Sequence, residues 1–208
     1  MSRDMLYRND IRFIGWASGL SPTDWARDSL CADWTNHDVL AHLVIGCSVA
    51  PTKIAGAMLV QRGSFDRANT DLARKLAGQR SPRELLDDYR QLSWKPQGIG
   101  RVFPKRLLLG DHVIHELDIC VALEMPSNIG TEELAAVLDT QVRVPNPFVN
   151  AAARARGLTL QAPDVGWSHG SGPLVAGDGA YLASALAGRR RALRRLHGDG
   201  VDEIASRL

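Results

Sequence analysis

The chain has 208 residues, 45% of them hydrophobic, enough for one sizeable domain with a small appendage and a real core. Its 25 Lys and Arg against 23 Asp and Glu leave a formal charge of +2, which gives no strong reason to expect nucleic acid or an anionic membrane as a partner. Three cysteines without a C-x-x-C pair argue against a disulfide scaffold, and the charged N-terminus lacks the apolar run of a signal peptide, so a soluble, cytoplasmic protein is expected.

In chain order, Met5, Leu6, Ile11, Phe13, Ile14 and Trp16 recur at helical spacing and predict a first helix from Ser2 to about Leu20. Ser21-Pro22-Thr23-Asp24-Trp25 opens a short helical turn ahead of a loop around Cys31. Thr35 and Asp38 resemble a capping box with Asp in place of the usual Glu or Gln, so Asp38 reads as a cap. The helix they open should run to about Gln61, kinked at Pro51 and burying Val39, Leu40, Leu43, Val44 and Met58. A shorter helix is expected over Asn69 to Ala77, then one opened by Ser81-Pro82-Arg83-Glu84 and continued through Leu92, then a loop holding Pro96, Gly98, Gly100 and Pro104.

The most apolar helix of the set should span Lys105 to Leu123. Thr131-Glu132-Glu133 caps another, to about Val142, and Pro145-Asn146-Pro147 marks a boundary before a short Ala-rich helix. From Gly157 the pattern changes: Leu158, Leu160 and Ala162 alternate with polar neighbours, a turn leads to a second strand through Trp167 and His169, and Leu174-Val175 is extended. Helices from Asp178 to Ala187 and from Val201 close the chain. A tail of about fifty residues is too small to stand alone and should dock on the helices.

The polar residues inside the apolar helices carry the chemistry. Asp111 and His115 are four apart and share one helical face, a spacing that suits metal ligation but by itself more often marks a hydrogen-bonded pair. His42 on another apolar helix strengthens the metal reading, because burying three such groups without a partner costs several kcal/mol. Packed side by side, the two helices would offer His42, Asp111 and His115 to zinc or another borderline divalent ion, with a position left for water or substrate. Asp118 continues the face, either to orient a ligand or hold a water, or to accept a backbone hydrogen bond. His37 and His112 sit on other azimuths and read as surface or rim positions. Cys47 and Cys120 read as buried and inert, and Trp34, Trp94 and Trp167 as fillers of core or interdomain space. Arg189 to Arg195 read either as a solvated face or, for Arg189, as a guanidinium aimed at a substrate carboxylate.

With these residues in view the chain resembles the actinobacterial mycothiol-dependent maleylpyruvate isomerase family, within the wider DinB-like group. The resemblance rests on Trp34-Thr35 leading to Asp38-Val39-Leu40-Ala41-His42-Leu43, on Asp111 through Ile119, and on a tail with Gly170, Gly172-Pro173, Leu186-Ala187-Gly188-Arg189 and Gly198-Asp199-Gly200. It implies a mainly α protein: a DinB-like four-helix bundle over residues 1–145 followed by a small C-terminal α/β module over 146–208. It also implies a divalent metal, zinc above all, on His42, Asp111 and His115, where the characterised isomerase has glutamate at the acidic position. Arg189 matches an arginine that the module brings to the active site, and Asp118 joins it as a candidate catalytic residue. Mycothiol, a low-molecular-weight thiol, would be the cosubstrate and a small electrophile the substrate. Added across a cis double bond, the thiol permits rotation before it leaves; transfer to another electrophile is the variant. A non-catalytic ligand-binding protein and a metal-dependent hydrolase without thiol remain the alternatives, and an oligomer remains open.

Overall fold

The computed structural model describes residues 3–146 and 148–208, so Ser2 of the expected first helix and Pro147 of the expected boundary lie outside the described residues. The first helix, α1, spans Arg3–Ala17 and buries Phe13, Ile14 and Ala17. Ser21 caps α2 (Pro22–Ala26), with Asp24 returning the bond to the Ser21 amide. Thr35 and Asp38 do the same for α3 (Asn36–Ser48), so aspartate closes both boxes where glutamate is usual, and the capping reading of Asp38 holds.

The single helix expected from Asn36 to Gln61 is two. Pro51 cannot donate to the turn before it and disfavours helical backbone at Ala50, which lies extended at φ −69°, ψ 139°. The second piece, α4 (Pro51–Val60), buries no residue, so Met58 is half-buried instead of core. Ser64 caps α5 (Phe65–Ala77), which therefore starts four residues before the expected Asn69. A full Ser81–Glu84 capping box opens α6 (Pro82–Trp94).

The expected loop after α6 contains a short helix, α7 (Gly98–Val102), which presses against the end of α3. Gln97 N donates to Cys47 O at 2.8 Å and Ile99 N to Val49 O at 2.9 Å, satisfying carbonyls that α3 leaves open. This approach needs glycine. At Gly98, where φ is +48°, a Cβ would lie 2.0 Å from the Val49 carbonyl oxygen, and at Gly100 it would lie 2.8 Å from Cys47 Cα. Gly98→Ala is therefore expected to lower stability by about 3 kcal/mol in urea denaturation, since backbone on both sides must move. A loss below about 0.5 kcal/mol would show that this contact is dispensable.

Helix α8 (Lys105–Leu123) has the expected bounds and is buried along most of its length. Helix α9 (Thr131–Arg143) begins at a glycine cap, Gly130, and not through a Thr131 side chain. After α10 (Ala151–Ala155) come β1 (Thr159–Ala162), β2 (Trp167–His169) and β3 (Leu174–Ala176) in the order β2-β1-β3. Leu160 faces His169 in the antiparallel pair and Val175 in the parallel one. Helix α11 (Gly179–Leu186), a 3-10 segment over Arg190–Arg195 and α12 (Val201–Ser206) complete the chain.

Helices α1, α6, α3 and α8 contact one another in a closed cycle, which makes the four-helix bundle. One apolar core, with Phe13, Leu40, Leu85, Tyr89 and Ile119, fills the bundle. A second joins Leu109, Val113 and Leu117 of α8 to Leu138 of α9 and to Leu160 and Leu182 of the C-terminal module. The module thus closes its core only by sharing α8 and α9, the docking that its size requires. Trp167 serves this seam, its Nε1 donating to Asp139 Oδ1 of α9 at 3.0 Å. Trp94, expected inside, is 66% exposed with its ring edge against Tyr7.

Among buried groups, His112 departs most from its expected rim position. It is 3% exposed and joins all four bundle helices: Asp10 Oδ1 of α1 and the Tyr89 hydroxyl of α6 each lie 2.8 Å from Nδ1, and Cys47 Sγ of α3 lies 3.8 Å from Nε2. Periodicity placed it on a different face from His115 correctly, but α8 is enclosed on both faces. One turn on, Glu116 receives Arg12 through both carboxylate oxygens, one at 2.7 Å. His37 is half-buried. Among the described residues no helix is long and apolar enough to cross a membrane.

Candidate active site

Helix α3 presents His42 and α8 presents Asp111 and His115 where the two helices pack, so the residues expected to converge do so. His42 Nε2 lies 3.4 Å from Asp111 Oδ2 and His115 Nε2 lies 3.6 Å from Asp111 Oδ1. One ligand-capable atom from each residue falls within 4.8 Å of the others. The two imidazoles meet edge to face with ring centroids 4.5 Å apart.

Each imidazole is held by its far nitrogen. His42 Nδ1 bonds Asn69 Oδ1 of α5 at 3.0 Å, and His115 Nδ1 bonds Asp118 Oδ2 at 3.1 Å. Both partners accept, so both Nδ1 atoms carry the proton and both Nε2 atoms present lone pairs toward Asp111. His42 Nε2 is buried and makes no hydrogen bond among the described residues. An orphaned imidazole nitrogen beside a carboxylate is the donor chemistry that zinc takes, and the residues fit such an ion.

Burial pushes the Asp111 carboxyl up, yet the imidazoles of His42 and then His115 outweigh it and hold it below the usual carboxylate range. Burial, and next the neighbouring His42, pushes His115 down and favours neutral imidazole. Asp118, fully buried, meets the Arg189 guanidinium of the C-terminal module: Nε donates to Oδ1 at 2.7 Å and one terminal nitrogen to Oδ2 at 2.6 Å. Burial raises the Asp118 carboxyl, but the Arg189 bonds more than offset it.

A cavity of about 730 Å³ opens over these groups, between the bundle and the module. Its volume suits a small molecule together with a second ligand. Trp34 is a wall of the site and not simply core filler. Its ring packs on His42 and His115 at 5.1 and 5.9 Å between centroids, while its Nε1 donates to Thr70 Oγ1. Cys31 also lines the cavity, but burial, and next the Asp118 charge, pushes its thiol up to about 11. It stays protonated at neutral pH, and neither Cys47 nor Cys120 lines the cavity. Sequence reasoning missed Asn69, and it placed Trp34 in the core, where it lies, without its packing on the two imidazoles. Neither carries a local signal, since each reaches His42 only through the packing of α5 and the α2–α3 loop on α3.

A four-helix bundle with a docked α/β module, and a His–Asp–His cluster at the seam, is the class of protein that the fold and site define. Residues 9–94 match the family described as mycothiol maleylpyruvate isomerase N-terminal domain. Two solved structures share the fold. One, of a histidine-to-alanine variant of mycothiol-dependent maleylpyruvate isomerase, has a TM-score of 0.58 at 13% identity over 95% of this chain and 91% of that one. The other, of mycothiol-dependent maleylpyruvate isomerase, has a TM-score of 0.54 at 13% identity with the same coverage. No curated protein matches the sequence. His42 and Asn69 fall inside the matched segment, whereas Asp111, His115, Asp118 and Arg189 lie beyond it.

Proposed function

We propose that the chain is a metal-dependent, thiol-using enzyme, an isomerase or S-transferase acting on a small electrophilic, carboxylate-bearing substrate with mycothiol as the thiol. The observation that carries this reading is the convergence of two Nε2 lone pairs and a carboxylate at a ligand-sized cavity, with both imidazoles fixed from behind. The family of residues 9–94 supports the choice of thiol.

A divalent metal, zinc above all, supplies Lewis acidity that brings a bound thiol to thiolate at neutral pH. His42 and His115 would hold it as neutral donors, and Asp111 would contribute a negative charge that lowers the net charge of the centre. Trp34 covers one side of both imidazoles and keeps water from that face. The inert Cys31 supports a thiol that arrives from solution. Asp118 and Arg189 complete the candidate set behind His115. Asp111 is shorter than the glutamate of the characterised isomerase, which alters its reach to a metal.

The test is turnover of maleylpyruvate and of other small electrophiles by zinc-loaded protein, with and without mycothiol. Consumption that requires both thiol and metal is the expected result. Metal-dependent turnover indifferent to thiol would favour a hydrolase, and no stoichiometric metal would leave a non-catalytic binding protein.

A further inference from the structure

Arg189 stands on the cavity wall, where a guanidinium would ordinarily be assigned to a substrate carboxylate. Its bonds leave little of it for that role. Nε and one terminal nitrogen form a fork on Asp118, and the other terminal nitrogen donates to Ala187 O at 3.2 Å. The arginine is locked from its own side as well. Gly188, at φ +98°, turns the chain after α11, and the Arg189 amide then bonds back to Ser184 O at 3.0 Å. Exposed arginines at 190, 191, 194 and 195 follow, so Arg189 alone of this run turns inward.

Asp118 is held equally firmly. Its side chain is fully buried, one oxygen takes Nε of Arg189, and the other takes both the arginine's terminal nitrogen and His115 Nδ1. Its backbone carbonyl accepts from Leu30 at 3.1 Å. A carboxylate fixed at both ends leaves His115 one tautomer and one ring orientation.

We infer that Arg189 is a positioning residue: through Asp118 it sets the tautomer and direction of His115, so that the C-terminal module shapes the metal centre without touching the substrate. The inference rests on the metal reading for its functional meaning, but the orientation of His115 can be measured without metal. Arg189→Met alone would strand a buried carboxylate and risk misfolding. Asp118→Leu combined with Arg189→Met replaces the pair with apolar groups of similar size and should fold, which circular dichroism checks.

In metal-free protein, long-range proton–nitrogen NMR should show His115 protonated on Nδ1 in the unsubstituted chain and predominantly on Nε2 in the double variant. Zinc affinity, read by chelator competition, should fall about 10- to 100-fold in that variant. The visible absorption of the cobalt(II) form should also change. Arg189→Lys, a charge without the fork, should recover the Nδ1 tautomer and part of the affinity. A folded double variant that keeps the Nδ1 tautomer would overturn the inference, as would zinc affinity within about threefold of the unsubstituted chain. So would an Arg189→Lys protein whose only defect is a raised KM for a carboxylate substrate. If the unsubstituted chain takes up no zinc, the metal reading fails by itself, and the tautomer comparison still decides the role of Arg189.

Discussion

Alanine at His42 or at His115 is expected to weaken zinc binding by more than the roughly 10- to 100-fold that loss of an outer hydrogen-bond partner costs, and to abolish metal-dependent turnover. Each imidazole provides one of three donors, and two donors fall short of the three protein ligands of an open zinc site. Binding to the folded chain alone also raises stability by mass action, by about 2.7 kcal/mol when free zinc is a hundredfold above its dissociation constant. Zinc should therefore raise the thermal midpoint of the unsubstituted protein and leave that of His42→Ala nearly unmoved. Asn69→Ala gives the comparison: it removes only the Nδ1 partner of His42, so affinity should fall within the 10- to 100-fold range. Equal zinc-induced shifts in the unsubstituted chain and His42→Ala would remove the basis for the metal centre.

Asp10→Ala is expected to cost about 3–5 kcal/mol, because it leaves His112 buried without the carboxylate that compensates its charge. Burial pushes the His112 imidazole down, but Asp10 outweighs it by charge and hydrogen bond and holds the group well above its ordinary 6.5. A histidine raised in the folded state contributes stability that is complete below the unfolded value and is lost as pH rises through the folded one. The unfolding free energy of chelator-treated protein, read by urea denaturation, should accordingly fall as pH rises above about 6.5, with a slope approaching ~1.4 kcal/mol per pH unit for the single proton. Below that point His115 and His37, both pushed down by burial, act in the opposite sense, since the unfolded chain binds their protons more readily. Asp10→Asn should flatten the alkaline limb between pH 7 and 8.5, and an unchanged slope would rule out His112 as its source.

Much of the fold was legible because local rules decide it. The bounds of α8 followed from apolar residues recurring from Leu107 to Leu123, and the helix starts at Ser21, Thr35 and Ser81 followed from their capping side chains. Where local chemistry competed with a long-range contact, the sequence misled. Pro51 broke a helix expected only to kink, and α7 formed inside an expected loop because it caps the open end of α3. Trp94 faced solvent although its size suggested the interior.

The candidate site divides in the same way. The sequence by itself determined that His42, Asp111 and His115 occupy the inner faces of apolar helices, since helical periodicity and the four-residue spacing are local properties. Only the tertiary structure decided that α3 and α8 pack side by side, that Asn69 and Asp118 fix the imidazoles from behind, and that Arg189 turns inward to Asp118. It also decided that His112 is the centre of a buried network and not a rim residue. The reason is physical: hydrophobic periodicity says which face of a helix leaves water, whereas hydrogen-bond partners come from distant segments whose meeting depends on how the whole core closes.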